Sequence, residues 1–157
     1  MTLDQACWLG TAAYGAHILE ELALDWRGWV RSVTGISVDW SLFYVGNAMV
    51  ILLGVVCAEV ARTVPMIALA LPALMLINAT FFHVLPFIWM RGRFSPGLIT
   101  AVLLFYPIGI LCYRCAQVAG VLTLPNLLGS MLIGLLIMLI PLALTRARSL
   151  PYFRQDK

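Results

Sequence analysis

The chain has 157 residues, of which 62% are hydrophobic and 11% charged, and its mean hydropathy is +0.98. Soluble domains carry about 45–50% apolar and about 25% charged residues, so a water-soluble chain of this length could not hide its apolar surface and the solvent must largely be lipid. The net charge of +3 is carried by arginines scattered between apolar runs, which argues against nucleic acid, a partner that selects a contiguous basic patch.

A spanning helix needs about 20 mostly apolar residues. Five stretches qualify, and they predict an all-α, polytopic membrane protein: a single transmembrane domain of about five helices. No Lys or Arg precedes the first apolar run, and Asp4 stands there, so the N-terminus does not read as a cleaved signal peptide. The first helix covers residues 5–24 and holds His17, Glu20 and Glu21. The second covers 41–61 and carries Asn47 near its start. The third, 64–90, contains Pro65, Pro72 and Pro86 beside Asn78 and His83; such prolines are tolerated in membrane helices, where neighbours satisfy the freed carbonyls, and they predict kinks. The fourth, 96–119, opens on Ser95-Pro96-Gly97, which reads as an N-cap followed by proline at the first helical position. The fifth covers 122–144. The linkers are short, so sequential helices should pack antiparallel.

Basic residues set the orientation. Arg27 and Arg31 lie in the first linker, Arg91 and Arg93 in the third, and Arg146, Arg148, Arg154 and Lys157 in the tail. With five spans these regions share one side, and only Arg62 and Arg114 fall toward the other. The bias predicts an N-terminus outside and a C-terminus in the cytoplasm. Trp26, Trp29, Trp40 and Trp89 gather at the same boundary, as interfacial aromatics do.

The two histidines carry the chemistry. In His17-Ile18-Leu19-Glu20-Glu21, positions i, i+3 and i+4 share a helical face, so an imidazole and two carboxylates point one way. At ~1.5 Å per residue, Glu20 lies roughly 8 Å in from Asp25, His17 and Asn47 roughly 12 Å in from their nearest polar markers, His83 roughly 12 Å in from Arg91, and Asn78 deeper at roughly 20 Å. Polar groups from three helices therefore meet near one level in the inner half of the bilayer. A carboxylate at the bilayer centre costs about 2.5–3.5 kcal/mol on insertion scales and marks a functional site when it faces the bundle interior.

Two chemistries suit this set. One is a divalent metal site, for which zinc is the natural ion: His17, His83 and Glu20 as ligands, Glu21 as general base, Asn78 or Asn47 polarising a carbonyl or steadying a ligand, with the two glutamates free to exchange roles. That predicts a hydrolase acting on a lipid-soluble or membrane-bound substrate. The other is metal-free acid–base chemistry, an isomerase or cyclase on a hydrophobic substrate. A non-enzymatic small transporter or accessory subunit would use the carboxylates as a proton or cation site. The plainest reading lets Glu20 and Glu21 snorkel to the interface beside Asp25 and Arg27, with His17 as a hydrogen-bonded core residue.

His17-x-x-Glu20-Glu21 in the first helix, Asn and His on a later helix, and a basic linker into Ser95-Pro96-Gly97-Leu98 and Thr100-Ala101 resemble the HXXEE family of small bacterial integral membrane proteins. The resemblance covers most of the chain. It implies about five spans and a bacterial inner (plasma) membrane, and no particular reaction. The family pattern places Asn four residues before His, whereas Asn78 precedes His83 by five, about 140° around a regular helix. A π-bulge, a feature of functional sites, would realign the two. Paired glutamates with His and Asn on separate helices are also similar to intramembrane proteases of the CAAX-processing and bacteriocin-immunity type, though in a different order.

Two further features have plain readings. Cys112-Tyr113-Arg114-Cys115 has redox-motif spacing but lacks the strand–helix context of a thioredoxin-like site; with Cys7 and Cys57, these cysteines serve as small apolar residues. Arg91, Arg93 and the start of the fourth helix offer a dipole-favoured place for a phosphate or headgroup, or simply a topology anchor.

Overall fold

The computed structural model describes residues 1–148, so Arg154 and Lys157, counted above among the tail charges, lie outside the described residues. Six helices follow one another: α1 (Leu3–Ala23), α2 (Trp26–Thr34), α3 (Trp40–Glu59), α4 (Pro65–Trp89), α5 (Leu98–Val118) and α6 (Leu124–Arg148). Four of them, α3 to α6, are long and apolar enough to cross a membrane. The helix α1 is long enough as well, but it carries Asp4, Glu20 and Glu21 and packs among the others against α3, α4 and α5.

The helix α2 departs from the sequence reading, which left 25–39 as a linker. Trp26, Trp29, Val30 and Val33 stand at i, i+3, i+4 and i+7 with Arg27 and Arg31 beside them, the pattern of a short amphipathic helix. Asp25 caps it by accepting from the Gly28 amide at 3.1 Å, and Gly35 closes it with φ +74°, the usual left-handed stop. At nine residues it is too short to span, so it was invisible to a search for apolar runs. Arg93 Nη2 donates to Ser32 Oγ at 2.8 Å, so the first and third linkers lie at one end of the bundle. At the other end Arg62 faces Asp4 at 3.6 Å, and the Cys115 thiol donates to the Met1 carbonyl at 3.5 Å.

The central helix is α4: its apolar window is 61% buried, against 33% for α3, 22% for α5 and 11% for α6. Small residues let its neighbours approach, as in membrane bundles generally. Ala68, Ala70, Ala73 and Ala79 are fully buried. A Cβ on Gly134 of α6 would lie 2.8 Å from the Leu74 amide nitrogen and 3.1 Å from the Ala70 carbonyl oxygen.

The helix is interrupted twice, each time upstream of a proline. A turn at Leu69 precedes Pro72, and a π-helical stretch, Ala79–Val84, precedes Pro86. In α5 a second π stretch, Ala101–Phe105, stands in the same relation to Pro107. Proline removes one amide and crowds the carbonyl four residues back; a widened turn just ahead of it gives that carbonyl room. The two π stretches contact each other, and the candidate site lies beside them.

Candidate functional site

In α1, His17 and Glu21 are one turn apart on the buried face, 1% and 7% exposed. His83 enters from the π stretch of α4 and is fully buried. The three side chains converge. His17 Nε2 lies 3.5 Å from Glu21 Oε1, His83 Nε2 lies 3.7 Å from the same oxygen, and all three candidate ligand atoms fall within 4.8 Å of one another. Both separations exceed the 2.7–3.2 Å of an N–H···O hydrogen bond, and neither Nε2 has a hydrogen-bond partner among the described residues.

The opposite ring nitrogens are held. His17 Nδ1 is 2.8 Å from Thr100 Oγ1, and His83 Nδ1 is 3.1 Å from Ser95 Oγ, which is itself fully buried. The rings meet edge to face at 4.8 Å, and Phe105, from the second π stretch, lies under His17 at 4.3 Å. Gly97 closes the top. Its φ is +94°, and an added Cβ would sit 2.5 Å from His83 Cε1 and 2.7 Å from His17 Cε1, so only glycine lets the backbone pass over both imidazoles.

Glu20 turns away to another task. Its Oε1 accepts from the amides of Gly97 (3.0 Å) and Ile99 (3.2 Å), and its Oε2 from the amide (2.8 Å) and hydroxyl (2.6 Å) of Thr100. It is the anion at the N-terminus of α5, supplied by a different helix, where orphan amides and the helix dipole favour negative charge. Two expectations are thereby revised. The sequence reading put Ser95 at the N-cap and Pro96 at the first helical position; α5 instead starts at Leu98 with Gly97 as its cap residue, and Ser95 faces His83. The start of α5, read as a place for a phosphate or headgroup, is filled by Glu20.

The structure thus brings together His17, His83 and Glu21 and leaves Glu20 beside them rather than among them, the exchanged form of the expected ligand set. It does not bring in the asparagines. The π stretch between Asn78 and His83 exists, yet Asn78 Nδ2 reaches only Met138 Sδ at 3.9 Å and its Oδ1 is buried without a partner. Asn47 accepts from the Tyr14 hydroxyl at 3.1 Å and donates to the Phe43 carbonyl at 3.0 Å. The cysteines are packing residues. Cys7 Sγ donates to the Ala68 carbonyl (3.4 Å), the one Pro72 cannot serve, and Cys57 Sγ to that of Ile67 (3.0 Å). Cys112 is buried as a free thiol. Sequence reasoning gave Thr100, Ser95 and Gly97 no part in the site; the signal was that Ser95-Pro96-Gly97-Leu98 and Thr100-Ala101 belong to the stretch on which the family resemblance rests.

Residues 8–112, which include every member of the cluster and its shell, match the family described as "Protein of unknown function with HXXEE motif". The chain belongs to that family. Neither a curated protein nor a solved structure matches it.

Proposed function

We propose that this HXXEE-family chain is a membrane-embedded, metal-dependent hydrolase of the bacterial inner membrane, acting on a lipid-soluble or membrane-bound substrate, with its N-terminus outside and its site in the cytoplasmic half. The observation that carries the reading is the convergence of two partnerless imidazole Nε2 atoms on one carboxylate oxygen. Two nitrogen lone pairs and an anion facing one another repel unless a proton or a metal ion stands between them, and the donor set suits a metal ion.

The donor set fits zinc. Two His and one Glu is a ligand triad of catalytic zinc sites, leaving a fourth position for water. A tetrahedral centre with 2.0–2.1 Å bonds has ligand–ligand edges of about 3.3 Å; the two edges to Glu21, at 3.5 and 3.7 Å, need close by a few tenths of an ångström, and the two imidazoles, within the 4.8 Å spread of the set, must draw together further. The hydroxyls of Thr100 and Ser95 occupy the outer ring nitrogens, as second-shell partners of ligating histidines do. His17, His83 and Glu21 would hold the metal, which would supply an activated water at neutral pH.

The chain's own residues supply the rest. Phe105, Tyr14 and the two imidazoles form a stacked wall that keeps the centre dry. Glu21, with an 8% exposed side chain against 1% and 0% for the histidines, is the least enclosed of the three. It lies in the last turn of α1, close to where the amphipathic α2 begins. Glu20, with all four of its contacts committed to α5, is not the base.

Metal analysis tests this directly. Protein purified in detergent, stripped and reloaded with zinc should hold about one ion per chain, and His17→Ala, His83→Ala and Glu21→Ala should each abolish it. No stoichiometric binding after reloading would remove the metal and leave the acid–base alternative.

A further inference from the structure

We infer that Glu20 is a positioning residue that selects, through the Thr100 hydroxyl, which nitrogen of His17 carries the hydrogen. The consequence for metal binding rests on the reading above; the inference itself concerns hydrogen bonds of the chain alone.

Thr100 Oγ1 has three neighbours: Glu20 Oε2 at 2.6 Å, His17 Nδ1 at 2.8 Å and the Gly97 carbonyl oxygen at 3.2 Å. A hydroxyl has one proton to give and two lone pairs to receive with. A carboxylate can only accept, and a hydroxyl–carboxylate bond of this length is of the strong, charge-assisted kind. The Thr100 proton therefore goes to Glu20. The hydroxyl oxygen is left to accept from His17, so Nδ1 carries the hydrogen and the Nε2 lone pair points at Glu21. The tautomer of a ligand-type histidine is set by the bond its other nitrogen makes; here that bond is itself set by a carboxylate one step further out.

His83 lacks this third member. Ser95 Oγ, its Nδ1 partner, has only the Pro96 carbonyl at 3.5 Å as its own acceptor. The two histidines therefore differ in how firmly their tautomers are held, and His83 is an internal control in the same molecule. Without the carboxylate, the Thr100 proton is free to turn toward His17 Nδ1, and His17 then gains by moving its own hydrogen to Nε2, against Glu21 Oε1 at 3.5 Å.

The test is nitrogen-15 NMR of histidine-labelled protein in bilayer nanodiscs, metal-free, for wild type, Glu20→Gln, Thr100→Val and Thr100→Ser. Expected are Nδ1–H forms for both histidines in wild type and Thr100→Ser. In Glu20→Gln and Thr100→Val a large share of His17 should convert to Nε2–H, with His83 unchanged. A merely structural role for Glu20 would move both rings together, since Gly97 rests on both. An unchanged His17 in both variants, or equal change at His83, overturns the inference. Zinc affinity measured on the same samples should fall about 10–100-fold in Glu20→Gln, the usual effect of an outer-shell partner. If His17 converts as expected while no variant, wild type included, binds metal, the positioning role stands and the metal reading alone fails.

Discussion

Helix α4 is broken twice, and the two breaks are put to different uses. At Leu69, upstream of Pro72, thiols of α1 and α3 close the gap: Cys7 and Cys57 donate to the carbonyls of Ala68 and Ile67. Nothing ionisable from α4 enters, and the surroundings are buried alanines and leucines. At Ala79–Val84, upstream of Pro86, the widened turn swings His83 into a polar cluster, with Thr80 Oγ1 donating to the Leu76 carbonyl (2.7 Å). A proline in a membrane helix thus creates a local need for donors. Weak, apolar donors make that place a joint; a titratable side chain with one ring nitrogen left over, as His83 has, makes it a candidate site.

The comparison breaks most decisively on metal binding. His83→Ala should lower zinc affinity by more than about 100-fold, beyond the loss expected from an outer-shell partner, while Cys57→Ala at the other break leaves stoichiometry at wild type. Equal loss in both would mean that the variants simply misfold, which a melting curve monitored by circular dichroism separates. Next in size is Gly97→Ala. The new methyl meets both imidazoles at 2.5 and 2.7 Å on a backbone at φ +94°, a strain of about 1–3 kcal/mol, and the rings must part to relieve it. The expected outcome is loss of metal together with a lower unfolding midpoint; a Gly97→Ala protein that binds zinc normally would show that the loop does not hold the histidines.

At the apolar break the effects are small and conservative chemistry restores them. Cys7→Val removes the donor to Ala68 and should cost about 0.6 kcal/mol, the average of hydrogen bonds between membrane helices, whereas Cys7→Ser keeps a donor and should stay near wild type. Reversible unfolding in bicelles reads the difference. A Cys7→Ser protein as damaged as Cys7→Val would mean that sulfur packing, not hydrogen bonding, closes this joint.

Much of this was readable in the chain. Lipid leaves a helix no choice but to be long and apolar, so residues 41–61, 64–90 and 96–119 came within a few residues of α3, α4 and α5. The near-common level of His17, Glu20 and His83 was read from the rise per residue together with the helix order. The rest depends on contacts that spacing does not encode. Glu20 and Glu21 are neighbours about 100° apart on α1, and which of them faces His83 is decided by a loop some eighty positions away, whose amides of Gly97, Ile99 and Thr100 claim Glu20. Asn47 was a candidate for the site but pairs with Tyr14. Helix α2 was missed because its nine residues obey amphipathic rather than spanning rules.

Asn78 supplies the finest test, because it stands between the two breaks and the sequence assigned it to the site. The π stretch that was expected to align it with His83 is present, but the extra residue serves His83 alone. The Asn78 amide turns toward α6, with one weak contact to Met138 and a buried oxygen that nothing satisfies. Leaving such an acceptor unmade costs about 1–3 kcal/mol, and replacing it by an apolar group can recover part of that. Asn78→Leu should therefore bind zinc with unchanged affinity and unfold no more easily than wild type, within about 1 kcal/mol and on the stabilising side. A folded Asn78→Leu protein that loses its metal would return Asn78 to the site. The second break would then hold a wider polar cluster than the triad seen here, and the contrast with the first break would grow.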